Sequence, residues 1–591
     1  MEQSPAPEAE PLPSFTVDQF RLTDGPECDV IMKGGITSGI VYPYAILELA
    51  TRYRFRSLGG TSAGAIAAAF AAAAEYSRSV RNDPSGFLRL KRHCDDLPER
   101  LLSLFQPDEE LEPLAAVLAK AARSRSPAAL VLPVVRPALA AGAIAALLAG
   151  LLTWLLSEQL LATVLAALLG GLLGALAGGY LSLRRTLLLP ILNTIRQLPA
   201  RMFGLCSGLT GTRSPSPAVT DWLHAALQDI AFGSPDAPEV LTFGHLETGS
   251  RGASIELRMV TTNLSMMRPH TLPKLGLRAG YDPDEWRKLF PDPVLAHLER
   301  VARPWKKLRL FPLAHELPVV VATRMSLSFP LLFKAVPLHA EDYEHFRVMR
   351  GLGGPPERVV RTMWMSDGGI SSNFPIHMFD APLPTRPTFA ISLDALQVGS
   401  EAVTRRVLLP SDAMTGLGVP ITPIDTVPAF LGQIFYSAKD WQDQLLGGIT
   451  GQRERIARVY LTPREGGLNL DMPPDVSRAL MGYGLEVGRL FTSGQFSFDE
   501  HRYRRLLAFY RNSTAWLDQA GAAWNGGFEQ WYASYAPHVR SYKLSGRSRN
   551  ALRVAVSVTL VPPPPEHRLG AGVVRHRFPR VVGRLRNVPE Y

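Results

Sequence analysis

The sequence predicts an α/β fold in which a sheet is flanked by helices, an apolar helical hairpin is inserted, and a mostly helical region follows. Three observations carry this expectation. Phe55-Arg56-Ser57-Leu58 reads as a short strand that turns at Gly59-Gly60-Thr61-Ser62-Ala63-Gly64 into residues 65–74, a run of strong helix formers. Apolar strand patterns recur at residues 30–32, 254–263, 317–323 and 388–393, with helical spacing between them, which is the alternation of an α/β domain. Residues 138–156 and 160–183 contain no charged side chain and are separated only by Ser157-Glu158-Gln159.

The strand-to-helix turn is the first candidate site. Gly60 and Gly64 flank Ser62 in a Gly-x-Ser-x-Gly arrangement. A sharp turn of this kind imposes unusual backbone angles on the serine, and small neighbours let strand and helix approach while Oγ stays presented. Ser62 also opens a helix, where free N–H groups and the dipole favour developing negative charge. Upstream, the strand Val30-Ile31-Met32 ends in Lys33-Gly34-Gly35-Ile36-Thr37-Ser38-Gly39, followed by a helix over 40–49. Such a loop can aim backbone N–H groups at an oxyanion beside the serine. It lacks the Lys-Ser/Thr ending of a phosphate-cradling P-loop, which argues against nucleotide binding. Far downstream, Met365-Ser366-Asp367-Gly368-Gly369 places an aspartate at a strand end before a tight turn.

Together these stretches resemble the patatin-like phospholipase family, hydrolases that use a Ser–Asp dyad. The resemblance covers the Gly-rich loop, Gly60-Thr61-Ser62-Ala63-Gly64, the segment Ala322-Thr323-Arg324-Met325-Ser326-Leu327-Ser328-Phe329-Pro330 with Phe333, and Asp367-Gly368-Gly369, in the family's order. It implies a patatin-like sheet, Ser62 as nucleophile, Asp367 as general base, and the N–H groups of Gly34, Gly35 and Ile36 as the oxyanion hole, with no cofactor and no metal. The loop departs from the family's usual Gly-Gly-Gly-x-Arg-Gly: Ile36 stands at the third glycine and Ser38 at the arginine, leaving Lys33 as the nearby positive charge. A histidine is the rival base, as in a Ser-His-Asp triad. His377 is near Asp367 in sequence, and His224, His245, His270 and His315 lie between the motifs, none in a recognisable pattern.

Composition narrows the classes. At 591 residues the chain exceeds one typical domain, and its 46% hydrophobic content suffices for a large core. Cys28, Cys94 and Cys206 have neither metal-ligand spacing nor the number of a disulfide framework, which points to a reducing compartment. The net charge of +10 is spread without a nucleic-acid motif, so an anionic membrane surface is the expected partner and nucleic acid is not.

The uncharged stretches are each long enough to cross a bilayer at about 1.5 Å per residue. Gly142, Ala146 and Gly150 in the first, and Gly170, Gly174 and Gly178 in the second, recur every fourth position, a spacing that lets helices pack closely in lipid. Arg123, Arg125 and Arg136 precede the hairpin and Arg184 and Arg185 follow it, so the positive-inside rule sets both ends, and the catalytic unit, on the cytoplasmic side. Two helices buried in a soluble core are the alternative. The expected organisation is a disordered tail at 1–24, a catalytic domain at 25–122 and 200–400, an insert at 123–199, and a mostly helical C-terminal region at 401–591. That last region includes the aromatic stretch 500–535, an alternating strand pattern at 553–560, a proline spacer at 562–565 and a basic tail. The functional expectation is a membrane-anchored lipid acyl hydrolase. Acyl transfer by the same residues, or a non-catalytic membrane scaffold, are the competing readings.

Overall fold

The computed structural model describes residues 12–560 except 23, 36, 112–126, 158, 186–188, 213, 248–253, 355–356, 397–404, 411–420, 450, 463, 468, 471 and 540–541. Ile36, most of the N-terminal tail, the proline spacer and the basic C-terminal tail therefore lie outside the described residues.

Fourteen strands are described: β1 (Glu27–Met32), β2 (Arg54–Gly60), β3 (Gly204–Cys206), β4 (Glu256–Asn263), β5 (Arg268–Leu272), β6 (Gly280–Tyr281), β7 (Pro304–Trp305), β8 (Leu308–Leu310), β9 (Leu331–Phe333), β10 (Val336–Glu341), β11 (Val360–Asp367), β12 (Thr388–Ala395), β13 (Val407–Leu408) and β14 (Ile456–Leu461). All but β3 and β9, which pair with each other, join one mixed sheet of order β13-β14-β12-β1-β2-β4-β11-β10-β6-β8-β7, with β5 hydrogen-bonded to β4. The centre, β14 to β4, is parallel, with Val30 facing both Phe389 and Leu58, and Gly59 facing Arg258. β11 runs antiparallel to β4, with Asp367 opposite Thr261.

The helices that matter below are α1 (Tyr42–Ala50), α2 (Ala63–Ser79), α3 (Gly86–Asp95), α4 (Pro127–Ser157), α5 (Leu160–Leu183), α6 (Leu189–Gln197), α7 (Val219–Phe232), α8 (Val319–Ser326), α9 (Val427–Gly447), α10 (Pro474–Thr492), α11 (Phe498–Ala523) and α12 (Gly546–Thr559). α2 packs on β2 and against α3 and α7, and α10 packs on α1. The alanine run has a packing reason. Ala65, Ala67, Ala68, Ala69 and Ala71 to Ala74 are all buried, and their small side chains let the helix lie close to the sheet.

Two expected strands are helices. Residues 317–323 carry the β-branched run Val319-Val320-Val321, yet Pro318 caps a buried helix, α8, because tertiary packing overrides a weak local preference. Residues 553–560 alternate like a strand but continue α12, which starts at Ser545, whose side chain accepts the Ser548 amide. The sheet also extends beyond residue 400, since β14 pairs with β12 in register Ala390 to Ile456.

α4 and α5 lie side by side. A Cβ on Gly174 would stand 2.4 Å from the Ala145 Cβ, one on Gly178 2.5 Å from that of Ala141, and one on Gly170 2.7 Å from that of Ala149. The small residues form the seam, while Leu147, Leu151, Leu155, Leu161, Leu165 and Leu172 face outward and are exposed. Over 135–156 and 160–183 both helices are long and apolar enough to cross a membrane, and only 11% and 0% of their apolar windows are buried within the chain. They are not core helices of this fold.

Candidate active site

Ser62 sits where β2 ends and α2 begins, at φ 53° and ψ −126°. A non-glycine residue at that backbone angle is strained and is held there by its surroundings. The surroundings are the two glycines: a Cβ on Gly64 would lie 2.4 Å from the Met32 carbonyl oxygen, and one on Gly60 2.5 Å from the backbone of Gly64. The Gly-x-Ser-x-Gly spacing is thus a contact requirement between β1, β2 and the first turn of α2.

Asp367 closes β11 two strands from Ser62, across β4. Both residues are 3% exposed. The Asp367 Oδ1 accepts the Gly369 amide at 2.7 Å, and Oδ2 is buried without a hydrogen-bond partner among the described residues. Burial raises the carboxyl pKa to about 6, while the Ser62 side chain and the Gly369 amide pull it the other way. A carboxylate poised near neutrality beside a hydroxyl can take its proton, which an ordinary aspartate does poorly.

The segment 322–330 holds both members. Ser326 Oγ accepts the Ser62 amide at 3.2 Å. Two residues on, the Ser328 carbonyl accepts the Asp367 amide at 2.9 Å and the Ser366 hydroxyl at 2.8 Å. Thr262 Oγ1 donates to the Asp367 carbonyl at 2.8 Å. The Arg324 guanidinium is fully buried and donates to Ser328 Oγ at 2.6 Å; burial lowers its pKa to about 10.

The Gly-rich loop differs from expectation. The Gly34 amide donates to the Asn373 carbonyl at 2.8 Å, so it is not available to an oxyanion. Among the described residues, the Gly35 and Ala63 amides have no hydrogen-bond partner. Ala63 directly follows the nucleophile position, where an elbow places an oxyanion donor, and a Cβ on Gly39 would stand 2.5 Å from the Ala63 Cβ, so the loop lies against it. Gly35 and Ala63 are therefore the candidate oxyanion donors. Lys33 is not a spare positive charge either: its ammonium pairs with Asp394 at 2.8 Å, and Arg458 holds the other oxygen of that carboxylate at 2.8 Å. Lys33 and Arg458 keep the Asp394 carboxyl well below the usual range despite its burial.

Sequence reading missed Asn373 and Asp443. The Asp443 carboxylate, on α9, accepts the amides of Asn373 at 2.7 Å and Phe374 at 2.8 Å. The Asn373 carbonyl in turn accepts from Gly34 and, at 2.8 Å, from the Thr61 hydroxyl. One carboxylate thus braces the turn after Asp367 against both the loop and the elbow. Burial raises the Asp443 pKa to about 6. The only early signal is that Asn373 follows Asp-Gly-Gly closely.

The histidines have other surroundings. His270 bonds the Leu275 carbonyl at 2.8 Å, His245 bonds Thr242 Oγ1 at 2.9 Å, and His315 lies beside Glu316. Burial lowers the pKa of His224 and His377. No described hydrogen bond joins a histidine ring to Ser62 or Asp367.

No family model matches the chain. The protein named RpoH suppressor of Rhizobium meliloti (strain 1021) is similar to it, 32% identical over an alignment of 627 positions that covers 94% of each chain. The chain belongs to the RpoH suppressor family. The match extends over nearly the whole of both chains rather than over a single unit.

Proposed function

We propose that this member of the RpoH suppressor family is a patatin-like serine lipid acyl hydrolase anchored in a bilayer by α4 and α5. The observation that carries the reading is a strained serine beside a buried carboxylate whose pKa lies near 6. In the forward step Ser62 Oγ attacks an ester carbonyl, its proton passes to Asp367, and the oxyanion is met by the Gly35 and Ala63 amides. The proton then moves to the departing alcohol as the acyl-enzyme forms. Water, deprotonated by Asp367, releases the fatty acid and restores the serine. No cofactor enters the scheme.

Two apolar helices with outward leucines supply the reason for a lipid substrate, since they hold the site beside a bilayer. Arg136, Arg184 and Arg185 at their ends set the catalytic unit on the cytoplasmic side. The closed site is nearly dry, which strengthens its electrostatics and makes local opening part of substrate entry.

A non-catalytic scaffold accounts for the altered Gly-rich loop, but it gives no reason for holding Ser62 at positive φ against a perturbed carboxylate. The test is fatty-acid release from mixed phospholipid vesicles by the wild type, Ser62→Ala and Asp367→Asn proteins. Release lost in both folded variants supports the dyad. Release retained in Ser62→Ala contradicts it.

A further inference from the structure

The described residues that flank the hairpin insert on either side meet at one place on the catalytic unit. Before it, the Asp108 amide donates to the Leu205 carbonyl at 3.0 Å, and the Asp108 carboxylate pairs with Lys334 at 2.7 Å and Arg201 at 3.8 Å. After it, α6 and the following turn lead straight to Phe203. An apolar surface gathers at that point. Phe203 meets Trp364 edge to face at 5.1 Å, Gly204 pairs with Leu331, and the Leu264 amide donates to the Trp364 carbonyl at 2.9 Å. Leu264, Met266 and Met267 form the β4–β5 turn.

Phe203, Leu264, Met266, Met267 and Leu331 face solvent, Met267 being 90% exposed and Leu331 58%, while Trp364 is half-buried. The backbone is strained to present them: Phe203, Met267 and Leu331 stand at φ 59°, 53° and 66°. Bulky residues rarely adopt such angles, and exposing apolar surface costs further free energy, so water alone gives no reason for the arrangement. The same elements hold the dyad. Leu331 lies three residues beyond Ser328, which bonds the Asp367 amide, and Met365, two residues before Asp367, pairs with Asn263 at the foot of the β4–β5 turn.

We propose that Phe203, Leu264, Met266, Met267, Leu331 and Trp364 form a bilayer-docking rim, seated at the headgroup–acyl boundary of the membrane that α4 and α5 enter, beside the Ser62–Asp367 site. The occupant is lipid because exposed apolar side chains run along the chain from the hairpin to the rim, Leu189, Leu192 and Ile195 on α6 and then Phe203, and apolar surface that close in sequence to a membrane span meets the bilayer first. The inference rests on reading α4 and α5 as membrane spans and extends it to the catalytic unit. It assigns the orientation of the site, with substrate entering from the lipid side.

The test uses the full chain in phosphatidylcholine–phosphatidylglycerol nanodiscs. Met267→Cys and Leu331→Cys variants are labelled with an environment-sensitive nitrobenzoxadiazole probe; Cys28, Cys94 and Cys206 are buried and do not compete. Asp24→Cys is the control, because Asp24 is exposed just before β1, at the end of the strands opposite Ser62. We expect quenching by a shallow nitroxide lipid at 267 and 331 to be at least threefold stronger than at 24, with the reverse order for aqueous iodide. Iodide quenching at 267 and 331 equal to that at 24 overturns the rim, as does shielding from both quenchers, which marks a protein contact. Fatty-acid release in the same samples separates the two claims. Inserted probes without release sustain the rim and remove the hydrolase reading, and aqueous probes with normal release remove the rim alone.

Discussion

The Asp443 carboxylate lies 2.7 Å from the backbone nitrogen of Asn373 and is itself buried, so α9 reaches the catalytic loops through one side chain. Asp443→Ala leaves two buried amides without an acceptor, a loss of about 2–6 kcal/mol at roughly 1–3 kcal/mol for each unmet group. We expect a lowered melting temperature and at least a tenfold fall in kcat for ester hydrolysis. Asp443→Asn keeps an acceptor oxygen and recovers most of both. Equal loss in the two variants contradicts a bracing role for the acceptor.

Asp367 sets the acid limb of the rate. The base is the carboxylate, and its folded pKa of about 6 means that activity rises as pH increases through that region and levels off above it. A kcat/KM profile from pH 4.5 to 8.5 checks this; a limb centred near 4 contradicts the burial of the base.

The same shift has a sign for stability. The folded pKa is raised, so the aspartate's favourable contribution is fully present below the unfolded value, near 3.9, and is lost as pH rises through about 6. Asp367→Asn escapes that loss. It is therefore expected to be inactive yet more stable than the wild type at pH 8, by up to about 3 kcal/mol from two pH units at 1.36 kcal/mol each, with the gap closing toward pH 4. Thermal unfolding in one detergent at both pH values measures it.

Gly64→Ala places a methyl 2.4 Å from a backbone carbonyl that no side-chain rotation can move. The cost is expected to exceed about 2 kcal/mol, as overpacking between rigid elements does, and to be accompanied by loss of activity. Ala65→Gly, one position away, is expected to cost only about 1 kcal/mol through helix propensity.

The elbow, the Asp-Gly-Gly strand end and the hairpin seam were legible because each rests on local geometry. Gly60 and Gly64 must be small for strands to meet a helix, and Gly170, Gly174 and Gly178 must be small for two helices to touch. The Asp443–Asn373 brace was not legible, since an acidic residue on an amphipathic helix carries no mark of what it bonds across 70 positions. Gly34 was misjudged for the same reason: its amide is claimed by Asn373, and only the folded chain brings them together. At 319–321 three valines favoured a strand locally, and burial against the sheet as a helix outweighed that preference.

The proposed chemistry turns on Ser62 being an activated nucleophile. Incubating the full-length protein with a fluorophosphonate at pH 8 and measuring intact mass addresses it directly. One covalent adduct is expected on wild type, mapped to Ser62, absent in Ser62→Ala and slowed at least a hundredfold in Asp367→Asn. An unmodified wild type, or an adduct that persists in Ser62→Ala, contradicts it.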